Sequence, residues 1–192
     1  PSLTDYHRYV DTPSGVSPMA IPSTPGGMYQ TNGLEHDEQG RPNASFVVHE
    51  KMNAKRYRKL DGIAERYPLY RRFGAAKPRL GVICWGSTVG PMKEAIERIG
   101  SDAAIGVFAP QLLMPLPAAP LQEFIDSCDE ILIVELSYSA QFERYLRGFV
   151  DFPRTRTHVY KRSGGKNLTS AEIETELQRL LTFNDEVVEI KR

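Results

Sequence analysis

The chain has 192 residues, and its 24 Lys and Arg are balanced by 24 Asp and Glu, so the formal net charge is zero. This balance predicts neither a nucleic-acid partner nor a membrane-surface partner, and the sequence has no bilayer-spanning apolar run and no signal-peptide pattern. Two cysteines are too few for a disulfide framework or a four-cysteine zinc or iron–sulfur site. We therefore expect a cytoplasmic protein with two buried thiols, Cys84 and Cys128.

The first predicted segment is an irregular arm over residues 1–45, which is rich in Pro and Gly and has no sustained period of 2 or 3.6. Met28, Tyr29 and Leu34 are apolar residues that a plain linker would not need, so we expect packing to order the arm. The absence of Met at position 1 suggests a fragment or a processed product.

A helix is predicted from about Val47 to Tyr67, where Pro68 forces a stop. One face of this helix is apolar: Met52, Leu60, Ile63, Ala64 and Tyr67. The opposite face is basic: Lys51, Lys55, Arg56, Arg58 and Lys59. Such a charge run is typical of a solvated helix face, and we interpret it so in preference to a nucleic-acid site.

The remaining sequence predicts alternating strands and helices after a loop over residues 67–78. Strands are predicted at residues 80–85, 104–108, 130–136 and 157–161. Helices are predicted at residues 91–99, 121–127 and 140–149, and a capping box, Thr169 with Glu172, opens a last helix that runs to about residue 181. Continuous apolar strands separated by helices predict a three-layer α/β domain with a mainly parallel sheet.

The stretch "ICWGSTVG", which ends at Gly90, raises the question of a phosphate-binding turn, since a helix N-terminus can bind an anion. A P-loop would need a Lys-Ser or Lys-Thr pair after the last glycine, and a dinucleotide fingerprint would need three glycines where this stretch has Gly86 and Gly90. The motif alone therefore predicts no nucleotide site.

Other candidate chemical groups are incomplete. Glu35, His36, Asp37 and Glu38 are the densest ionisable set, but neighbouring side chains diverge, and these residues alone favour a surface loop. The four histidines, His7, His36, His49 and His158, include no zinc-binding pair. Glu135 ends the clearest buried strand, and we interpret it as a hydrogen-bond acceptor for the start of the next helix. No complete catalytic constellation is present.

Several motifs in fixed order resemble the C-terminal third of the α subunit of 2-oxoacid:ferredoxin oxidoreductases, most closely the 2-oxoglutarate type. They are "HRYVDTPSGVSPMAIPSTPGGMYQTNGLEHDEQG", "KMNAKRYRKLD", "VICWGSTVGPMKEAI", "PLPAAPLQEFI" and "ILIVELSYSAQFERYLRG". The resemblance covers about residues 6–181. It implies a thiamine-diphosphate enzyme that decarboxylates a 2-oxoacid, forms acyl-CoA and passes electrons through iron–sulfur clusters to ferredoxin.

The resemblance also implies a domain organisation. Residues 1–45 would form the end of the domain that binds the thiamine pyrimidine ring, and residues 46–78 would form a helix and a connector. Residues 79–181 would form a domain like the transketolase C-terminal domain, and residues 182–192 would form a tail. The partners would be the rest of the α subunit, the β subunit and, through the complex, ferredoxin.

The family's catalytic residues lie outside this sequence, and the thiamine diphosphate, magnesium and cluster ligands lie mainly in the partner subunit. The resemblance thus assigns no catalytic, cofactor or metal residue here, and the chain alone is expected to be inactive. Gly86 and Gly90 would form a structural turn that permits close helix–sheet packing. Glu35, His36, Asp37 and Glu38 would lie at an interface or active-site rim.

Two functional hypotheses remain. The chain is either an assembly domain of such an oxidoreductase, or a free-standing module in which the "GSTVG" turn or Glu135 faces a small anionic ligand such as coenzyme A. The arm favours the first, because a compact module has little use for a long segment without regular structure.

Overall fold

The computed structural model describes residues 3–64 and 66–190, with side chains described as far as residue 182. The chain divides into two compact units, Pro1–Tyr67 and Pro68–Arg192.

The first unit consists of the arm and one helix, α1 (Phe46–Asp61). The arm is ordered mainly by tyrosines. The hydroxyl of Tyr6 donates to the carbonyl of Pro18 and accepts from the Ala20 amide at 2.9 Å, and the Tyr29 ring lies edge-on to the rings of Tyr6 and Tyr9. The two other apolar residues noted in the arm, Met28 and Leu34, are exposed.

Helix α1 is shorter than predicted and buries a different face. It ends at Asp61 because Gly62, a poor helix former, caps it and the chain then turns. The predicted apolar face beyond this point does not form, and Tyr67 is 65% exposed. The buried side chains of α1 are Met52 and Lys55.

The second unit is built on a five-stranded sheet. Its strands are β1 (Tyr70–Gly74), β2 (Leu80–Cys84), β3 (Ile105–Pro110), β4 (Glu130–Glu135) and β5 (Thr157–Lys161). The spatial order is β1-β3-β2-β4-β5, and only β1 pairs antiparallel with its neighbour. The prediction of a mainly parallel sheet is confirmed.

Strand β1 is not predicted from the sequence, which indicates a loop over residues 67–78. The strand lies at the edge of the sheet, and its central residues, Arg71 and Arg72, are exposed. An edge strand needs little apolar surface, so no hydrophobic alternation marked it in the sequence.

Four helices complete the three layers: α2 (Val89–Ile99), α3 (Ala118–Asp126), α4 (Gln141–Leu146) and α5 (Ser170–Ile190). Helices α2 and α5 contribute Met92 and Leu177 to the apolar cluster on one sheet face. Helices α3 and α4 contribute Phe124 and Leu146 to the cluster on the other face. Alternate residues of the buried strands enter opposite clusters, as a doubly covered sheet requires.

Helix α5 begins at the predicted capping box. The Thr169 amide donates to Glu172 at 2.9 Å, and the Glu172 amide donates to the Thr169 hydroxyl at 3.3 Å. The helix runs to Ile190, beyond the predicted end near residue 181. Although α5 is the longest helix, neither it nor any other helix in the described residues is long and apolar enough to cross a membrane.

Candidate functional site

The segment Glu35–Glu38 lies in the first unit and is held to α1 by ion pairs. Glu35 binds Arg56 through two nitrogen–oxygen contacts of 2.5 and 3.1 Å and accepts a bond from His49 Nδ1 at 3.1 Å. The hydrogen-bonded Arg56 guanidinium is the main reason that the pKa of Glu35 falls from 4.5 to about 2. Glu35 is therefore a carboxylate across the physiological pH range.

The other members of the segment have separate partners. Glu38 pairs with Lys51, which lowers the pKa of Glu38, and it accepts the Asp11 amide at 3.2 Å. Asp37 closes its own turn by accepting the amides of Gln39 and Arg41, both at 3.0 Å. His36 packs against Tyr9, with ring centroids 4.0 Å apart. The four side chains diverge as expected and do not form one metal or acid–base site.

The basic face of α1 is only partly the solvated face that the sequence predicts: Lys51, Arg56 and Lys59 are exposed, whereas Lys55 is buried. Lys51, Arg56 and Arg58 pair with arm carboxylates, and Lys55 donates to the carbonyl of Tyr9 at 2.7 Å. The burial of Lys55 and the ion pairs could not be predicted, because the partners lie far away in sequence and periodicity alone does not show where the arm packs. The arm thus neutralises most of the charge that had suggested nucleic acid.

In the second unit, a cleft of about 220 Å³ opens at the carboxyl ends of β2 and β4. Connections leave these two neighbouring strands toward opposite sheet faces, which is where open α/β sheets place ligand crevices. Trp85 and Phe142 line the cleft with ring centroids 5.6 Å apart. Trp85 is 41% exposed.

Glu135 also lines this cleft and is only 1% exposed. Its carboxylate accepts the amides of Phe142 and Glu143 at 3.0 Å each and the hydroxyl of Ser137. The prediction that it satisfies the start of the next helix is confirmed. Because this carboxylate already occupies the N-terminus of α4, it disfavours a second anion in the cleft.

The glycines at the cleft differ from one another. Gly86 has φ +61°, in the left-handed region that favours glycine, and it forms the tight turn. Gly90 lies in the first turn of α2. An added Cβ would meet nothing within 4 Å at either position, so the expectation of close helix–sheet packing is wrong for both. That role belongs to Gly81, where a Cβ would lie 2.3 Å from Cys128 Sγ.

The cysteines confirm the prediction of buried thiols. Cys84 and Cys128 belong to the apolar clusters on opposite faces of the sheet. Burial raises the pKa of the Cys84 thiol to about 12, so it is protonated and unreactive at neutral pH. Among the described residues, no three His, Cys, Asp or Glu side chains are grouped to hold a metal ion.

Comparison with known proteins places this architecture in a family. Residues 79–173 match the model of the pyruvate:ferredoxin oxidoreductase core domain II. This part of the chain is similar to that domain. The match begins just before β2 and ends in the first turn of α5, so it covers the parallel strands and the cleft at their carboxyl ends.

Relatives of this oxidoreductase family match nearly the whole chain. The α subunit of 2-oxoacid:ferredoxin oxidoreductase 2 from Aeropyrum pernix is 29% identical over 96% of this chain, which spans 29% of that subunit. The α subunit of 2-oxoacid:ferredoxin oxidoreductase 1 from Sulfurisphaera tokodaii is 30% identical over 71% of this chain, or 22% of its own length.

A solved relative extends the agreement to three dimensions. The 2-oxoglutarate:ferredoxin oxidoreductase from Magnetococcus marinus, with 2-oxoglutarate, coenzyme A and succinyl-CoA bound, matches with a TM-score of 0.72 and 30% identity over 92% of this chain and 31% of its own. The predicted resemblance to 2-oxoacid:ferredoxin oxidoreductase α subunits is therefore confirmed. These family members are subunits of larger assemblies, and this chain corresponds to less than a third of one.

Proposed function

We propose that this chain supplies the assembly part of a cytoplasmic, thiamine-diphosphate-dependent 2-oxoacid:ferredoxin oxidoreductase whose substrate is 2-oxoglutarate. The enzyme would oxidatively decarboxylate the 2-oxoacid, release acyl-CoA and reduce ferredoxin. The observation that carries the proposal is the match to the Magnetococcus enzyme, since it includes both the arm and the α/β unit and extends over 92% of the chain.

The cofactors of this enzyme do not fit the donors of this chain. An iron–sulfur cluster needs several converging thiolates, but Cys84 and Cys128 are buried on opposite faces of the sheet. A magnesium site needs grouped oxygen ligands, and the described residues show no such group. We assign thiamine diphosphate, magnesium and the clusters to other parts of the enzyme, and we expect no turnover by this chain alone.

Exposed apolar side chains on the arm support an assembly role. Met28 is 93% exposed, Ile21 78%, Leu34 68% and Met19 64%. Large apolar side chains close together along an exposed segment are typical of a surface that another chain or domain covers. We propose that the remainder of the α subunit and the β subunit cover this surface.

The segment Glu35–Glu38 is proposed to lie at the same interface, near the active-site rim. Its ion pairs support this role, because Glu35 and Glu38 fix the arm onto α1 and hold the exposed apolar residues in one arrangement. In this proposal the segment positions the arm and does not itself carry out a chemical step.

The test uses the α subunit that contains this sequence, expressed together with its β subunit. We expect ferredoxin reduction that depends on 2-oxoglutarate and coenzyme A, with kcat/KM for pyruvate lower by about tenfold or more. Equal rates with both oxoacids would contradict the substrate assignment, and no 2-oxoacid-dependent reduction by a correctly assembled complex would contradict the activity.

The assembly role has its own variant. Met28→Lys places a charge on the most exposed apolar side chain and should weaken association of the subunits by about tenfold, measured by analytical ultracentrifugation. Thr31→Lys introduces the same charge nearby at an exposed polar position and serves as the control. Equal association of both variants and the unmodified protein would contradict the proposed interface.

A further inference from the structure

A cavity of about 250 Å³ lies within the first unit, between the arm and α1. Four side chains of α1 line one wall: Met52, Lys55, Arg56 and Lys59. Their spacing of i, i+3, i+4 and i+7 places them on one helix face. Arg8 and Tyr9 of the arm line the opposite side. The ion pairs described above use Arg56 but not the other three cations.

Lys55 is the buried cation of this cavity, with 7% of its surface exposed. Its Nζ has three donor positions, and the bond it makes is to the Tyr9 carbonyl, a neutral acceptor, at 2.7 Å. Within the described part of the chain, no carboxylate lies within ion-pair distance of this ammonium group. Burial is the main reason that the pKa of Lys55 is lowered. A buried ammonium group without a paired anion is costly, and an anionic ligand would relieve that cost.

Two further cations face the same space. Arg8 lies over the Tyr9 ring, 5.3 Å from its centroid, and Lys59 is exposed on α1. Their like charges help to lower the pKa of Lys55, so both are close to it electrostatically. Neither makes an ion pair with another described residue.

The nearby carboxylates are already engaged. Asp11 and Glu38 act on Lys55 through space and favour its charged form. However, Asp11 is bound to Arg58, and Glu38 is bound to Lys51. The cavity therefore keeps an excess of positive charge even though the whole chain is neutral.

We propose that this cavity binds a phosphoryl group, either as free phosphate or as the end of a phosphoester. The cations that line the cavity come from two elements, since Lys55 and Lys59 belong to α1 and Arg8 belongs to the arm. A phosphate dianion brings tetrahedral acceptor oxygens that three such donors can share, whereas a carboxylate has two oxygens in one plane. The volume of the cavity is smaller than that of pockets that enclose a whole small-molecule ligand, and it therefore suits a single phosphoryl group. The observations that support this site do not depend on the proposed enzyme activity.

The test measures binding of inorganic phosphate to the full chain by isothermal titration calorimetry at constant ionic strength. Lys59→Gln and Arg8→Gln each remove one positive charge from a side chain that is not part of the apolar core, and each should weaken phosphate binding by about tenfold. Lys77→Gln, at an exposed position of the second unit, removes the same charge outside the cavity and should leave the affinity unchanged.

A second measurement needs no variant. The pKa of the Lys55 amine can be measured from the ¹³C shift of Cε in NMR spectra. This pKa should rise when phosphate is added, because an anion favours the ammonium form. The same shift should not occur with chloride at matched ionic strength.

The outcomes separate the possibilities. Saturable phosphate binding that is weakened by the two cavity variants alone supports the site. An absence of saturable binding, or equal binding by all variants, would overturn it. Succinate that binds as tightly as phosphate would also overturn it, since the cavity would then select dicarboxylates. A titration with coenzyme A tests a phosphoester. If coenzyme A binds more tightly than both phosphate and dephospho-coenzyme A, the natural ligand of the cavity is a phosphoester. If the three affinities are equal, the ligand is free phosphate.

Discussion

The two units of this chain are stabilised in different ways. The α/β unit has apolar side chains on both sheet faces, with Val82, Ile133 and Phe124 almost fully buried. The arm and α1 bury far fewer apolar side chains in the described residues, among them Ala20 and Met52, and they are joined by ion pairs between the arm and the helix. Apolar burial persists across pH and salt, whereas exposed ion pairs are sensitive to both. The comparison predicts that the two units respond to different perturbations.

The largest effect is expected from Phe124→Ala in α3. This ring packs against Phe108 and is 1% exposed, so its removal should lower the free energy of unfolding by about 3–5 kcal/mol, measured by urea denaturation. Val159→Ala, at a position 38% exposed, is the control and should cost less than about 1 kcal/mol. Similar losses for both variants would show that the α3 side of the sheet is not the stabilising core.

A smaller effect is expected from Glu135→Ala, which removes the acceptor for the first amides of α4. Two buried N–H groups would lose their partner, and the free energy of unfolding should fall by about 2 kcal/mol. Glu135→Gln keeps one oxygen in place and should lose less. If the alanine variant is as stable as the unmodified chain, water must be able to reach these amides.

Low pH should act on the first unit while the sheet remains folded. The folded pKa of Glu35, about 2, lies below its ordinary value of 4.5, so its stabilising effect is complete above pH 4.5 and is lost as the pH falls toward 2. Glu38 shifts in the same direction. Hydrogen exchange of the α1 amides should accelerate in this window.

The amides of β2 and β4 are the internal reference in that experiment, because their environment is apolar. Glu172 also has a pKa of about 2, and its protonation should fray only the first turn of α5. Simultaneous loss of protection in α1 and in the central strands would show that the two units unfold together. That result would contradict the prediction that they respond to different perturbations.

The smallest expected effect is that of Gly90→Ala. The added methyl group meets open space in a helix, so the variant should be more stable by about 0.5 kcal/mol. Gly86→Ala, at φ +61°, should be destabilised instead. A subunit-association assay adds a second readout: weaker association of Gly90→Ala despite higher stability would show that a partner approaches this turn closely.

The sequence predicted most of the second unit because its signals are local. Buried strands such as Ile131–Val134 are continuous apolar runs, and the capping box of Thr169 and Glu172 spans four residues. The predicted helix from residue 140 to 149 was longer than α4, because Arg147 to Val150 form a turn and not a further helical turn. The ends of helices depend on such turns more than on the periodicity of apolar residues in the sequence.

The first unit could not be predicted in the same way because its contacts join distant residues. Glu35 pairs with Arg56 across 21 positions, and Lys55 reaches Tyr9 across 46. The sequence contains one local signal: Met52, Lys55 and Lys59 share a helix face by their spacing, which places Lys55 on the same side of α1 as the buried Met52. The sequence placed the four residues from Glu35 to Glu38 at an interface only through family resemblance, which stays a prediction.

The charged edge strand β1 has a consequence for how partners can approach. Arg71 and Arg72 are exposed on this edge strand, and the Arg72 guanidinium lies 5.1 Å from the centre of the Phe124 ring. Charged residues on an edge strand oppose pairing with a foreign strand. The sheet is thus protected from growth by strand addition at this edge. A chain that binds at this edge would then have to recognise side chains instead of extending the sheet, and the same charges oppose aggregation through the edge.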